Sequence, residues 1–78
     1  MSATRADADT RALVRFGQRV RARRESLSLS QEQLAELAEF DRTYISMVER
    51  GMRNLSLLNV KRFAKALKMP LEELVKGI

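Results

Sequence analysis

Two short helix-like segments follow each other almost without a break in the stretch SQEQLAELAEFDRTYISMVERG, from Ser30 to Gly51. Ser30 opens a capping box, in which its hydroxyl accepts a hydrogen bond from the backbone of Gln33 and the Gln33 side chain reaches back. Asp41 is a good N-cap for a second helix, and Gly51 supplies a left-handed exit at its end. The stretch therefore predicts two helices joined by a turn of about three or four residues, a helix-turn-helix.

Helix signals recur in the rest of the chain, whereas strand signals are nearly absent. Apolar residues three and four positions apart predict amphipathic helices. Ser56 is a good N-cap, and Pro70 suits the first turn of a last helix that Gly77 ends. The predicted helices span about residues 10–25, with Asp9 or Thr10 as the cap, then 31–38, 42–49, 57–67 and 70–76. We therefore expect an all-α protein, a compact five-helix bundle with the helix-turn-helix in helices two and three.

The length allows one domain with a thin core. The chain has 78 residues, and a domain of this size buries only about 60% of the surface that its unfolded chain exposes. We expect residues 1–9 to form a flexible arm and residues 10–78 to form the domain, with a dimerisation surface at its C-terminal end. The residues expected to face inward are Leu13, Phe16, Val20, Leu34, Ala35, Leu37, Ala38, Ile45, Val48, Val60, Phe63, Ala64, Leu67 and Leu74. Leu71 and Val75 share the apolar side of the last helix with Leu74.

The composition excludes several kinds of site. The chain has no Cys and no His, which removes disulfides, thiolate metal sites and the commonest general base. Glu72 and Glu73 are adjacent, but the side chains of neighbouring residues on a helix diverge, so these two carboxylates are not expected to form a catalytic pair. No apolar run approaches the ~18 residues of a membrane span, and the opening MSATRADAD lacks the apolar region of a signal peptide. We expect a cytoplasmic protein that is not an enzyme and has no metal, cofactor or small-molecule ligand.

The charge of the chain favours a polyanionic partner. Lys and Arg number 15 against 10 Asp and Glu, which gives a net charge of +5 and a pI near 10.5. Such a balance points to nucleic acid or a membrane surface. A solvated basic helix face explains the densest basic stretch equally well, and that stretch lacks the Trp/Phe/Leu-rich face of a membrane-binding helix. Its members are Arg11, Arg15, Arg19, Arg21, Arg23 and Arg24.

The second helix of the motif has two chemically different sides. At roughly 100° per residue, Ile45 and Val48 share one side with Asp41 and Glu49. The opposite side is short, polar and basic, and consists of Thr43, Ser46, Met47 and Arg50. The second helix of a helix-turn-helix is the one that fits the DNA major groove. The pattern therefore favours a protein that binds duplex DNA.

From about Phe16 to Gly77 the chain resembles the Cro/C1-type (XRE-family) helix-turn-helix domains of phage repressors and bacterial regulators. The resemblance rests on SQEQLAELA, YISMVERG and FAKALKMPLEELVKG, and the string DRTYISMVERGMRNLSL is most similar to the controller proteins of restriction-modification systems. It implies a lambda-repressor-like fold and a sequence-specific transcriptional regulator. The family usually has Gly in the turn, where this chain has Glu39. A non-Gly residue at positive φ costs conformational free energy.

The resemblance also implies roles for individual residues. Arg is the best reader of guanine, and Thr or Met can contact a thymine methyl. The residues implied to face base edges are Arg42, Thr43, Ser46 and Met47. Those implied to contact phosphates are Gln31, Tyr44, Arg50, Arg53 and Asn54. For Tyr44 the alternative is a ring packed at the edge of the domain. Arg24 and Glu49 are implied to form a structural ion pair.

We expect the protein to act as a homodimer on an operator with two-fold symmetry. Four apolar residues exceed what so thin a core can hide, and a dimer would set its recognition helices about 34 Å apart. They are Leu58, Met69, Leu71 and Val75. Controller proteins, by resemblance, regulate their own operon, and such binding would associate this chain with the nucleoid. The alternative is an antitoxin-like interaction module that binds a protein partner and its own operator, and such modules usually carry a toxin-binding tail.

Overall fold

Five α-helices and no strand make up residues 4–78, the part of the chain that the structure, a computed structural model, describes. The helices are α1 (Arg5–Ser26), α2 (Gln31–Ala38), α3 (Arg42–Glu49), α4 (Leu57–Ala66) and α5 (Leu71–Val75). The expectation of an all-α protein with five helices is confirmed. Within these residues, no helix has the length and apolar character needed to span a bilayer.

Helix α1 begins five residues earlier than the sequence pattern predicts. The Thr4 hydroxyl accepts a hydrogen bond from the Asp7 N–H at 3.1 Å, and the Asp7 carboxylate accepts one from the Thr4 N–H at 3.3 Å. The prediction of Asp9 or Thr10 as the cap was wrong, because apolar periodicity starts only in the third turn whereas a capping box can begin a helix with exposed polar turns. The expected arm is therefore helical from Arg5 onwards, and its first three residues lie outside the described residues.

The core is formed by residues from all five helices. Phe16 of α1 and Phe63 of α4 meet edge to face at 6.1 Å between ring centroids, an arrangement that aromatic rings favour. The other buried members of this core are Val20, Leu34, Ala35, Ile45, Val48, Ala64, Leu67 and Leu74. All of them are among the residues predicted to face inward.

Leu37, predicted to face inward, is instead 57% exposed. Val75, predicted as a dimer contact on the apolar side of the last helix, is 37% exposed. In α2 the buried side is defined by Leu34, Ala35 and Ala38, and at about 100° per residue Leu37 lies about a sixth of a turn outside it. Helix α5 is only five residues long and buries Leu74 alone, so its next residue turns outward.

Helix α1 passes very close to the end of α3 at Gly17. A Cβ added to Gly17 would lie 2.3 Å from the Val48 carbonyl oxygen and 2.7 Å from that of Glu49. Those atoms belong to backbone that the core holds in place, so a side chain at this position would force the two helices apart. The end of α3 therefore packs directly against the backbone of α1 at Gly17.

Two arginines of the basic stretch bind the ends of other helices. Arg23 donates through Nε to the Leu67 carbonyl oxygen at 2.9 Å and through Nη2 to that of Lys68 at 3.1 Å, at the end of α4. Arg19 donates through Nη1 to carbonyl oxygens at the end of α5. A positive charge at a helix C-terminus is favourable, because the last carbonyls lack partners and carry partial negative charge. The basic stretch is thus only partly a solvated face.

Candidate nucleic-acid interface

Helix α3 buries one side and exposes the other. Ile45 and Val48 are buried in the core, as the helical periodicity predicts. On the outer side, Arg42, Thr43 and Arg50 are exposed, whereas Ser46 and Met47 are half-buried. Of these, Arg50 also donates through Nε to the Ser46 carbonyl oxygen of its own helix at 3.3 Å. The four predicted base-facing residues therefore lie on one short helix that packs firmly on the core.

The turn before α3 consists of three residues. Glu39 ends α2 with φ 61° and ψ 45°, the left-handed conformation that glycine adopts most readily. The Phe40 N–H then donates to the Ala35 carbonyl oxygen at 2.9 Å, which closes the end of the helix. Asp41 occupies the N-cap of α3, yet its side chain makes no capping hydrogen bond. The prediction of Asp41 at the N-cap is correct in position, but not in the bond that makes such a residue favourable.

Tyr44 packs at the edge of the domain and also presents its hydroxyl group. Its ring lies 4.7 Å from that of Phe40 and stacks 6.2 Å from that of Phe63, centroid to centroid. The phenol oxygen accepts a hydrogen bond from Asn59 Nδ2 at 3.1 Å. A phenol that accepts one hydrogen bond can still donate its own proton, which suits a phosphate oxygen. The Arg53 guanidinium carbon lies 5.6 Å from the ring centroid, within reach of a cation–π contact.

A buried ion pair lies behind the start of α2. Arg24 donates through Nε to Glu49 Oε2 at 2.6 Å and through Nη2 to Oε1 at 2.9 Å. The hydrogen bond with Glu49 raises the pKa of Arg24 despite the burial of the guanidinium. Gln31 donates through Nε2 to Glu49 Oε1 at 3.1 Å. Gln31, predicted to contact a phosphate, thus already uses one of its amide hydrogens within the protein.

Arg42 is held by an acid of α2. Its Nε lies 2.8 Å from Glu32 Oε1, and both side chains are largely exposed. The pKa of the Glu32 carboxyl is lowered, first by a hydrogen bond from its own backbone N–H at the start of α2 and then by the charge of Arg42. This pair places a carboxylate on the surface that is predicted to face DNA.

The structure brings some of the predicted contacts together and separates others. Thr43, Tyr44, Met47 and Arg53 line one open groove between the turn and the loop that follows α3. Asn54, predicted as a phosphate contact, instead borders a separate hollow beside α1. Three further residues support the surface and were not predicted from the sequence: Glu32, Asn59 and Arg62. The only signal for them was a polar residue type at a fitting helical position.

The predicted dimer residues differ in exposure. Leu58 is 71% exposed, whereas Met69 and Leu71 are half-buried and pack against the core. Leu57, which the sequence pattern did not single out, is 73% exposed beside Leu58 at the start of α4. Single exposed apolar residues are ordinary, but two adjacent leucines on one helix are less so. Leu57 and Leu58 form an exposed apolar pair in the first turn of α4, and Val75, the fourth predicted dimer residue, is 37% exposed in α5.

Comparison with known proteins gives concordant results. Residues 20–74 match a family described as helix-turn-helix. Control protein C.MunI of Mycoplasma sp is 41% identical over 66 residues, which are 83% of this chain and 89% of that protein. Control protein C.BamHI of Bacillus amyloliquefaciens is 55% identical over 53 residues, 67% of this chain and 65% of that protein. The crystal structure of the restriction-modification controller protein C.AhdI from Aeromonas hydrophila has 52% sequence identity and a TM-score of 0.77, over 80% of this chain and 94% of that one.

Proposed function

Since the chain belongs to the helix-turn-helix family of DNA-binding transcription regulators, we propose that it binds a specific operator as a homodimer and serves as the controller of a restriction-modification system. The subtype is supported by relatives that are named as control proteins. The observation that carries the proposal is the outer side of α3, a polar and basic surface on a helix whose other side is fixed in the core.

Base reading is assigned to the exposed side of α3. Arg42 stands at its first residue, where side chains of a recognition helix reach base edges, and can bind guanine O6 and N7 through two hydrogen bonds. Thr43, Ser46 and Met47 follow on the same side and suit smaller contacts, including a thymine methyl. Sequence preference is therefore expected to fall on a few adjacent base pairs in each half-site.

Phosphate contacts would fix the register of α3 in the groove. Gln31 lies at the first residue of α2, where backbone N–H groups without helical partners favour an anion. Tyr44, Arg50 and Arg53 are proposed to contact phosphates from α3 and the loop that follows it, and Asn54 would do so from its separate position beside α1. These contacts carry no sequence information themselves, but they position the groups that do. The net charge of +5 supplies a further attraction for DNA that falls with salt.

The homodimer is proposed from the apolar surface at the C-terminal end of the domain. Val75 is exposed in α5 and Leu58 is exposed in the first turn of α4, and the proposed second copy would cover both. Two-fold symmetry would then place the two α3 helices about one DNA turn apart, roughly 34 Å. The operator should accordingly contain two related half-sites in inverted orientation.

The test is selection of duplexes from a randomised pool, followed by protection footprinting on the DNA upstream of the coding sequence. We expect one enriched sequence with two-fold symmetry and a protected region that contains it. Binding that shows no preference among duplexes at physiological salt would contradict a sequence-specific regulator. An operator without symmetry would contradict the dimer.

A further inference from the structure

The turn between α2 and α3 is held from outside the motif, by Arg62 of α4. Its guanidinium donates through Nε at 3.1 Å and through Nη2 at 2.8 Å to the Ala38 carbonyl oxygen. Nη2 also donates to the Glu39 carbonyl oxygen. The guanidinium carbon lies 4.1 Å from the centroid of the Phe40 ring, a cation–π contact. One side chain therefore contacts the last residue of α2 and two of the three residues of the turn.

The sequence of the turn provides little support of its own. Glu39 has φ 61°, in the left-handed region that favours glycine because a Cβ crowds the following carbonyl. Asp41 caps α3 by position only, without a side-chain hydrogen bond. The Ala38 carbonyl is among the groups that a helix end leaves without an intrahelical partner, and a cation there also complements the helix dipole. Arg62 supplies what these residues lack.

The contact reaches the recognition helix through aromatic rings. The Phe40 ring lies under Arg62 and packs against Tyr44 of α3 at 4.7 Å and against Phe63 of α4 at 5.0 Å. A change in the turn would therefore move the first turn of α3, which carries Arg42 and the other leading contacts. Groups that read bases need close geometry, because a bidentate hydrogen bond tolerates little displacement.

We propose that Arg62 is a positioning residue for DNA recognition. It clamps Glu39 in the left-handed conformation and thereby sets the orientation of α3 relative to α2. The inference rests on the proposed DNA-binding function, and it assigns to Arg62 no contact with DNA. Its removal should lower discrimination between operator and other sequences, rather than weaken binding to all DNA alike.

The first experiment compares Arg62→Ala with Lys65→Ala as a matched control. Lys65 lies three residues further along α4, is exposed, and lines the same groove as Arg62, so its substitution removes the same charge without touching the turn. Affinities are measured for the selected operator and for a non-specific duplex over a range of salt concentrations. We expect Arg62→Ala to lower the ratio of specific to non-specific affinity about tenfold, as for one lost base contact. The salt dependence of binding should have the same slope for Arg62→Ala and Lys65→Ala, since both variants lose one charge. The ratio of specific to non-specific affinity of Lys65→Ala should match that of wild type.

The second experiment asks whether the effect passes through the turn. Glu39→Gly in the Arg62→Ala background removes the Cβ that disfavours the left-handed conformation, and it should restore most of the lost discrimination. Glu39→Ala in the same background removes the same carboxylate but keeps the Cβ, and should restore none. Should Arg62→Ala not fold, Arg62→Lys keeps the charge and loses the planar contact, and the same loss and rescue are expected of it.

Three results would overturn the inference. The first is a specific to non-specific ratio that stays at the wild-type value in a folded Arg62→Ala or Arg62→Lys variant. The second is rescue by Glu39→Ala that is as complete as rescue by Glu39→Gly, or the absence of rescue by either substitution. The third is a fall in the salt slope of Arg62→Ala below that of Lys65→Ala, which would make Arg62 a phosphate contact. Absence of sequence preference in the wild-type protein would instead refute the proposed function itself.

Discussion

Arg24 and Glu49 form a two-bond ion pair that ties the end of α1 to the last residue of α3. The side chains are only 11% and 4% exposed, and the remaining Arg24 nitrogen, Nη1, donates to the Leu29 carbonyl oxygen at 2.9 Å. Gln31 at the start of α2 donates to the same carboxylate. Three helices therefore depend on one pair of charges, and the recognition helix is anchored at the end opposite Arg42.

Loss of Glu49 should destabilise the fold strongly. Glu49→Ala leaves the Arg24 charge buried without its partner, and breaking a buried pair from one side costs about 3–5 kcal/mol of unfolding free energy. Chemical denaturation measures the change. Arg21→Ala is the control, because the Arg21–Glu25 pair is exposed and its loss should cost less than about 1 kcal/mol. A Glu49→Ala protein as stable as wild type that no longer binds DNA would contradict the structural role.

Arg42 and Arg53 should affect binding in different ways. Arg42→Ala is expected to lose about 1–3 kcal/mol of binding free energy, concentrated at one base pair, because a bidentate contact to guanine is removed. Arg53→Ala should weaken all sequences alike and reduce the salt slope by about one unit. Both are measured on the operator and its single-base variants at several salt concentrations. If Arg42→Ala weakens every sequence equally, base reading falls to Thr43, Ser46 and Met47 instead.

Glu32→Gln should strengthen DNA binding without much effect on stability. It removes a carboxylate that pairs with Arg42 on the DNA-facing surface, and an exposed pair contributes little to folding. Glu36→Gln, an exposed acid one turn further along α2, is the control for net charge. Equal gains in affinity from both variants would assign the effect to charge alone. In the free protein, NMR titration should show the pKa of Glu32 lowered from that of an ordinary glutamate, and Arg42→Ala should raise it.

A charge on the apolar surface of α4 should separate the proposed dimer. Leu58→Asp places a carboxylate where a second copy would bury it, and burial of an unpaired charge is strongly unfavourable. Sedimentation at micromolar concentration should show monomer for this variant and dimer for wild type, with unchanged thermal stability at low concentration. Leu37→Asp, a similarly exposed leucine on α2, should leave the association intact. Dissociation by both variants, or by neither, would count against this interface.

Local signals were enough to predict α2 to α5. Ser30 and Gln33 form the expected capping box, with hydrogen bonds of 2.8 and 3.0 Å, and Ser56 accepts from the Asn59 N–H at 3.1 Å. These bonds join residues three apart, so the sequence carries all that they need. The capping box of α1, between Thr4 and Asp7, is equally local, but it lies ahead of the apolar pattern, which therefore predicts a later start for the helix.

Contacts between distant parts of the chain were harder to predict. Arg19 and Arg23 belong to a stretch that suggests either a solvated basic face or a polyanionic partner, and nothing in the sequence singles out Arg62. The structure shows each of the three donating to carbonyls at the end of another helix. Gly17 gave no sign in the local pattern of its approach to α3. The Arg24–Glu49 pair was expected only through the resemblance to a family. Sequence position alone does not tell which helix ends will meet.

The sequence by itself therefore determined α2 to α5, the capping bonds of Ser30 and Ser56 and the division of α3 into a buried and a polar side, because these follow from periodicity and from bonds a few residues long. Tertiary structure decided how the helix-turn-helix is held. Glu39 takes a conformation for which glycine is better suited, and Arg62, 23 residues later in the chain, supports it. Such support requires α4 to pack beside α2, and that packing results from burial of a shared core rather than from any local preference.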